Sequence, residues 1–316
     1  MHNYPPVVLA GAEFAAHRIN LWLLKQGWTV HVYIVGQPAV YPAEFEGVPI
    51  TCVSNCYDLP IESDTLLLSQ LWAARQAHMV VDMKRLKYIE FVHYVDNTVV
   101  SPYPWTVRRD FLMVYNSLDT QKRALEIGGW LSTVKSVLMP PLIADVPTQL
   151  SEAEQRAEAR WITLVNFSTD KGADIFNSCA TMNEKEGREF VGIAGSHGQQ
   201  EKPCARVQVF PATLDMESVW AKTRILVVPS KYETWSMVAS EALLRGIPVV
   251  AADHIPALKE NCGDGALYVK QDDVTAWLRA LDTIEAEYEQ CSQKARLASS
   301  SRRPDQEANL KKIFYC

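Results

Sequence analysis

Short apolar runs alternate with longer amphipathic stretches along most of this chain. VVLA at Val7 to Ala10 reads as a strand, Ala12 to Lys25 as a helix that Gly27 stops, and WTVHVYIV at Trp28 to Val35 as a second strand. Together they predict a βαβ unit. Further strand-like runs occur at Thr65 to Leu68, Tyr88 to Tyr94 and Phe111 to Tyr115, with polar helical stretches between them. The segment LMPPLIADVP, Leu138 to Pro147, then breaks the pattern with three prolines and leads into the charged SEAEQRAEAR. A second series follows: RWITLV, EFVGIAG, ARVQVF, RILVV, IPVVAA and ALYV. Strands that alternate with helices in this way predict an α/β fold with parallel sheets. The expected organisation is two Rossmann-like domains, residues 1–145 and 146–300, facing each other across a central cleft, with a tail at 301–316. A polar helix from Asp273 to about Ala298 and the tail Pro304 to Cys316 are expected to be terminal packing elements.

Composition narrows the chemistry. At 316 residues and 48% apolar, the chain can bury two cores. Its net charge is −6, and residues 1–145 carry 11 basic against 13 acidic side chains, the remainder 20 against 24. Neither half has the positive balance that phosphate-mediated nucleic-acid binding requires, so such a partner is disfavoured. The seven cysteines show no repeated CxxC spacing. Cys52 and Cys56 could be half of a metal site, but no second pair lies near, so free thiols in a reducing cytoplasm are expected. No apolar run reaches the ~18 to 20 residues of a membrane span, so no integral membrane insertion is expected.

The stretch Val227 to Asp253 carries the densest chemistry. A strand ends near Pro229, a loop carries Glu233, Ser236 is placed as the N-cap of a helix containing Glu241, and Gly246 with Pro248 ends it. A helix N-terminus so placed presents N–H groups to an anion such as a diphosphate. Two carboxylates could accept hydrogen bonds from sugar hydroxyls, although spacing alone favours a surface loop Glu and a capping or solvated helical Glu. Upstream, Lys171 and Gly172 follow a strand and open a helix, while Gly195, Ser196 and His197 form a turn after another strand. His93 lies at the end of the Tyr88 to Tyr94 run, where a core histidine is the competing reading.

These words resemble the retaining glycosyltransferases of family 4, the glycosyl transferases group 1. The resemblance rests on Pro229, Ser230, Glu233, Glu241, Ala242, Gly246, Pro248 and Val249, together with Lys171 and Gly172. It implies a GT-B architecture, with Glu241 on the ribose, Glu233 on the donor sugar and Lys171 on the diphosphate leaving group. Thr234, Trp235, Ser236, Met237 and Val238 would complete the donor loop, with Gly195, Ser196 and His197 near the nucleotide. In the first domain Gly11, Ala12, Glu13 and His17 resemble the family's glycine-loop segment, and His93 the strand-end histidine facing the sugar. Two departures stand out. Ser236 occupies a position where the family has glycine, and the arginine before the family's lysine is missing, with Asn166 and Ser168 in its neighbourhood.

The resemblance implies a nucleoside-diphosphate sugar as co-substrate and no further cofactor. No Asp-x-Asp occurs, so metal independence is expected, and the absence of GxGxxG argues against a dinucleotide oxidoreductase. A non-catalytic nucleotide-sugar-binding or scaffold protein remains an alternative. The acceptor is open among saccharides, lipid-linked sugars, small molecules and a modified DNA base.

Overall fold

The computed structural model describes the chain except residues 2, 37–39, 63–64, 71–76, 78–79, 82–85, 96–110, 144–158, 197, 301–302 and 316. The side chains of 70, 130 and 303–305 are likewise left aside. The chain divides into an N-terminal unit of Met1–Val8, Ala12–Leu142 and Ala308–Cys316, and a C-terminal unit of Leu9–Gly11 and Ile143–Glu307.

In the N-terminal unit, helix α1 (Gly11–Lys25) leads to β1 (Val32–Val35), which pairs in parallel with β3 (Val48–Val53); the two-residue β2 (Glu44–Phe45) lies antiparallel to β3. A second sheet holds β4 (Leu66–Gln70), β5 (Lys87–Val92), β6 (Phe111–Tyr115) and β7 (Ser136–Leu138), all parallel and in sequence order. Helix α2 (Leu118–Ile127) follows β6, capped by Ser117 through the Thr120 N–H. Side chains alternate across β5, as strand geometry requires. Ile89 and Phe91 join α1 through Ile19 and Leu23 in one core cluster, whereas Tyr88 and Val92 join Phe111, Met113 and Tyr115 in another.

The C-terminal unit contains β8 (Trp161–Val165), α3 (Ala173–Met182), β9 (Glu189–Ile193), β10 (Val207–Phe210), α4 (Met216–Lys222), β11 (Thr223–Val228), α5 (Met237–Leu244), β12 (Val249–Ala252), α6 (Pro256–Cys262), β13 (Ala266–Val269), α7 (Val274–Ala286) and α8 (Tyr288–Ser300). Its six strands are all parallel, in the order β10-β9-β8-β11-β12-β13. Numbered from β8 this is 3-2-1-4-5-6, the doubly wound order, in which connections run outward in both directions from a switch point between β8 and β11. Such a sheet is covered on both faces, so its strands read as unbroken apolar runs; all four residues of β12 are buried.

The expected strands at Phe111 to Tyr115 and Ala266 to Val269 form over those residues. Three expectations are corrected. VVLA is not a strand: residues 5–7 form a turn, closed by the Val8 N–H on the Tyr4 carbonyl, because Pro5 and Pro6 have no N–H for a ladder. The strand expected at Trp28 to Val35 is confined to β1. The long helix expected from Asp273 is two, α7 and α8, separated at Glu287. The final helix, α9 (Arg303–Tyr315), buries Leu310, Ile313 and Phe314 in the core cluster of α1 and β5, within the N-terminal unit.

Candidate functional site

In open α/β sheets, ligands bind beyond the carboxyl ends of the strands at the switch point. Here that place is built by the loops after β8 and β11. The loop after β8 turns through a short 3₁₀ segment, Thr169–Lys171, into Gly172, whose φ of 78° is left-handed. A Cβ on Gly172 would stand 2.1 Å from the Pro229 carbonyl oxygen, so only glycine lets the two loops meet this closely. The Lys231 N–H donates to the Asp170 carbonyl at 2.9 Å, tying the loops further.

That approach brings Lys171 to Glu233. The Lys171 Nζ donates to Glu233 Oε1 at 2.6 Å, and the Ser230 hydroxyl donates to the same oxygen at 2.9 Å. The carboxylate is nearly buried, its side chain 10% exposed against 29% for the lysine. A pair in this setting interacts more strongly than one in water. The two residues expected to meet a phosphate and a sugar are thus each other's partner.

Beyond Glu233 the chain passes through Thr234 and buried Trp235 into Ser236 and then α5. Ser236 stands at the N-cap position but does not cap the helix with its side chain; its φ is 74°, in the left-handed region. The expected N-cap role is corrected accordingly. A serine side chain caps from extended backbone, which this residue does not adopt. Its hydroxyl is buried without a hydrogen-bond partner among the described residues. A network sequence reasoning missed holds this loop: Asn261 on α6 donates through Nδ2 to the carbonyls of Trp235 and Ser236, at 2.6 and 2.8 Å. Asn261 Oδ1 accepts from the Ser240 hydroxyl at 2.9 Å, and the Trp235 indole N–H donates to Ser240 at 3.0 Å. A serine one turn after Ser236 was the available signal. Met237 and Val238 are half-buried in the first turn of α5, and half-buried Glu241 lies on its second turn.

A second group lies beyond β8 and β9. Asn166 is left-handed, with φ 63°, and its Oδ1 accepts from Gln200 Nε2 at 3.2 Å. The Gly195 N–H donates to Gln200 Oε1 at 3.0 Å, and a Cβ on Gly195 would lie 1.9 Å from Asn166 Oδ1. Asn166 therefore packs directly on Gly195, with Gln200, which was not anticipated, as their common partner. Ser196 is exposed, and its hydroxyl accepts from the Leu9 N–H at 3.0 Å; His197 lies outside the described residues. Gly11 belongs to the same unit as Leu9, and a Cβ there would meet Met237 Cγ at 3.1 Å. Ala12 is half-buried in the first turn of α1.

His93 belongs to the N-terminal unit, directly after β5. Its Nε2 is buried without a partner among the described residues, and burial lowers its pKa to about 4 despite the opposing field of Glu13. At neutral pH the ring is uncharged. His17, by contrast, is buried in a structural cluster, with Nδ1 on the Tyr4 hydroxyl at 2.7 Å and Nε2 on Glu46 at 3.1 Å.

The comparison with known proteins meets this geometry. The sucrose-phosphate synthase of Thermosynechococcus elongatus superposes over 97% of this chain and 94% of its own, with TM-score 0.73 and 15% identity. HepE of Anabaena, solved in complex with UDP and glucose, superposes over 96% of each chain with TM-score 0.74 and 15% identity. The chain has the GT-B fold. Residues 167–286, a segment that contains Lys171, Glu233 and Glu241, match the family described as Glycosyl transferases group 1. The O-antigen chain mannosyltransferase RfbU of Salmonella typhimurium is 35% identical over 71 residues, a stretch covering 22% of this chain and 20% of that protein. Among the described residues no helix is long and apolar enough to cross a membrane.

Proposed function

We propose that the protein is a retaining, metal-independent glycosyltransferase that moves a hexose or related sugar from a nucleoside-diphosphate sugar to a hydroxyl acceptor in the cytoplasm. The observation that carries this reading is the Lys171–Glu233 pair at the switch point of the 3-2-1-4-5-6 sheet, beside the N-terminus of α5. As the bond from the anomeric carbon to the phosphate oxygen breaks, negative charge grows on the leaving diphosphate. The Lys171 ammonium and the N–H groups of the first turn of α5 are suited to stabilise it. Glu233, released from part of its pairing, accepts hydrogen bonds from donor-sugar hydroxyls, and Glu241 accepts from the ribose. Gly195, Ser196, Asn166 and the loop Thr234 to Val238 line the same donor, with His197 assigned there by resemblance alone. Retention follows if the acceptor oxygen attacks from the face the phosphate leaves, its proton passing to a phosphate oxygen of the donor. The neutral ring of His93 is assigned to the sugar by resemblance alone.

The test is release of nucleoside diphosphate from a panel of UDP-, GDP- and ADP-sugars. The UDP-sugars come first because HepE was solved with UDP and glucose. One donor should be turned over equally with and without EDTA, and Lys171→Ala and Glu241→Ala should each lower kcat/KM by roughly 100-fold or more, the scale of a lost charge-stabilising contact. Binding of a nucleotide with no turnover of any donor would favour a non-catalytic binding protein. Loss of activity with EDTA, restored by metal, would overturn metal independence.

A further inference from the structure

Ser236 carries two costs at once. Its backbone sits at φ 74° and ψ 89°, where a side chain crowds the neighbouring carbonyl and only glycine is at ease. Its hydroxyl is also buried, the residue being 6% exposed, and has no hydrogen-bond partner among the described residues. Either defect alone would favour glycine, which removes both. Nothing in the packing requires the hydroxyl, because the loop is held by its main chain: the Ser236 carbonyl accepts from Asn261 Nδ2 at 2.8 Å and from the Ser240 N–H at 3.3 Å. Ser236 immediately precedes α5, an eight-residue helix that its side chain does not cap, so the orphaned hydroxyl belongs to the residue at the helix N-terminus.

An unsatisfied buried donor at the N-terminal residue of a helix is arranged for an anionic oxygen. We propose that the Ser236 hydroxyl is a positioning group for the donor, giving a hydrogen bond to a diphosphate oxygen of the bound nucleotide. This rests on the donor site proposed above and gives one residue of its loop a specific contact, through a hydroxyl whose retention works against the stability of the free protein.

The predicted signature is that stability and binding move in opposite directions. Ser236→Gly relieves the left-handed strain and removes the orphaned hydroxyl, so the ligand-free variant should melt a few degrees higher than the unaltered protein. It should bind nucleoside diphosphate about tenfold more weakly, as expected for one hydrogen bond to a charged group. Ser236→Ala keeps the strained backbone, lacks only the hydroxyl, and should show the same loss of affinity. The measurement is isothermal titration with UDP, GDP and ADP on all three proteins, alongside their melting temperatures.

Weakened binding in both variants, with a raised melting temperature in Ser236→Gly, supports the assignment. A residue serving the fold alone would instead lower the melting temperature when replaced. Undiminished affinity in Ser236→Gly overturns the proposal while leaving the donor site intact. If the unaltered protein binds none of the three nucleotides, the donor site itself fails and this inference falls with it.

Discussion

At the residue scale, the candidate side chains near the switch point could be picked out because their spacing is local and dense. Lys171, Gly172, Glu233 and Glu241 could be named from the text, but the 2.6 Å pairing of Lys171 with Glu233 could not, since it depends on two loops that meet only through strand order. Nor does the text distinguish a structural histidine from a strand-end one; burial separates His17 from His93 only by their partners. His93 supplies a prediction here. An imidazole titrating near 6.5 when unfolded is lowered to about 4 by burial in the fold. Between those values the unfolded chain binds the proton and the folded chain does not. Stability is therefore full above about pH 6.5 and falls as pH drops towards 4, by at most about 1.4 kcal/mol per pH unit from this group. His17 is shifted in the same direction by burial, so His93→Gln should flatten the slope without abolishing it. Urea midpoints between pH 7 and pH 4.5 measure this; an unchanged slope in the variant would remove His93 as its source.

At the element scale, legibility followed burial. Strands covered on both faces appear as uninterrupted apolar words, and Phe111–Tyr115 and Ala266–Val269 needed no further signal. The β2–β3 hairpin escaped notice because β2 has two residues and Pro49 lies inside β3. The break between α7 and α8 carries no glycine or proline; Arg224 of β11 stacks 3.5 Å from the Tyr288 ring at the start of α8, a tertiary contact with no local signature. The coupling of α5 to α6 through Asn261 was equally hidden, and it should be costly to lose. Asn261→Leu removes the side-chain donor to the carbonyls of Trp235 and Ser236, leaving the latter the Ser240 N–H at 3.3 Å, and removes the acceptor of the Ser240 hydroxyl, all on buried residues. Unsatisfied buried groups cost about 1–3 kcal/mol each, so a loss of roughly 3 kcal/mol or more in unfolding free energy is expected by chemical denaturation. The nucleotide affinity should fall with it, because this network holds the Ser236 loop. A variant as stable as the unaltered protein would show that the contacts are dispensable.

At the scale of the whole molecule, alternation of strand and helix was enough to predict parallel sheets, since parallel neighbours require crossover connections. The 3-2-1-4-5-6 order was not legible, because pairing β8 with β11 joins segments that carry no complementary code beyond apolarity. The same limit applied to α9. Leu310, Ile313 and Phe314 form an i, i+3, i+4 stripe that fits any apolar surface, and the structure places it in the N-terminal unit. There Phe314 lies 5.8 Å from Trp22, centroid to centroid, and the Trp28 indole reaches the Tyr315 hydroxyl at 3.3 Å. Ending the chain at Glu307 should therefore expose the α1–β5 core while leaving the core around β8, β11 and β12 complete. Burial of three such side chains is worth on the order of 5 kcal/mol, comparable to the stability of a whole domain. Hydrogen exchange should then accelerate at the amides of β5 and β6 and stay slow at those of β11 and β12. Uniform acceleration would mean that the two units unfold as one, and unchanged protection in β5 would mean that α9 covers the N-terminal core without stabilising it.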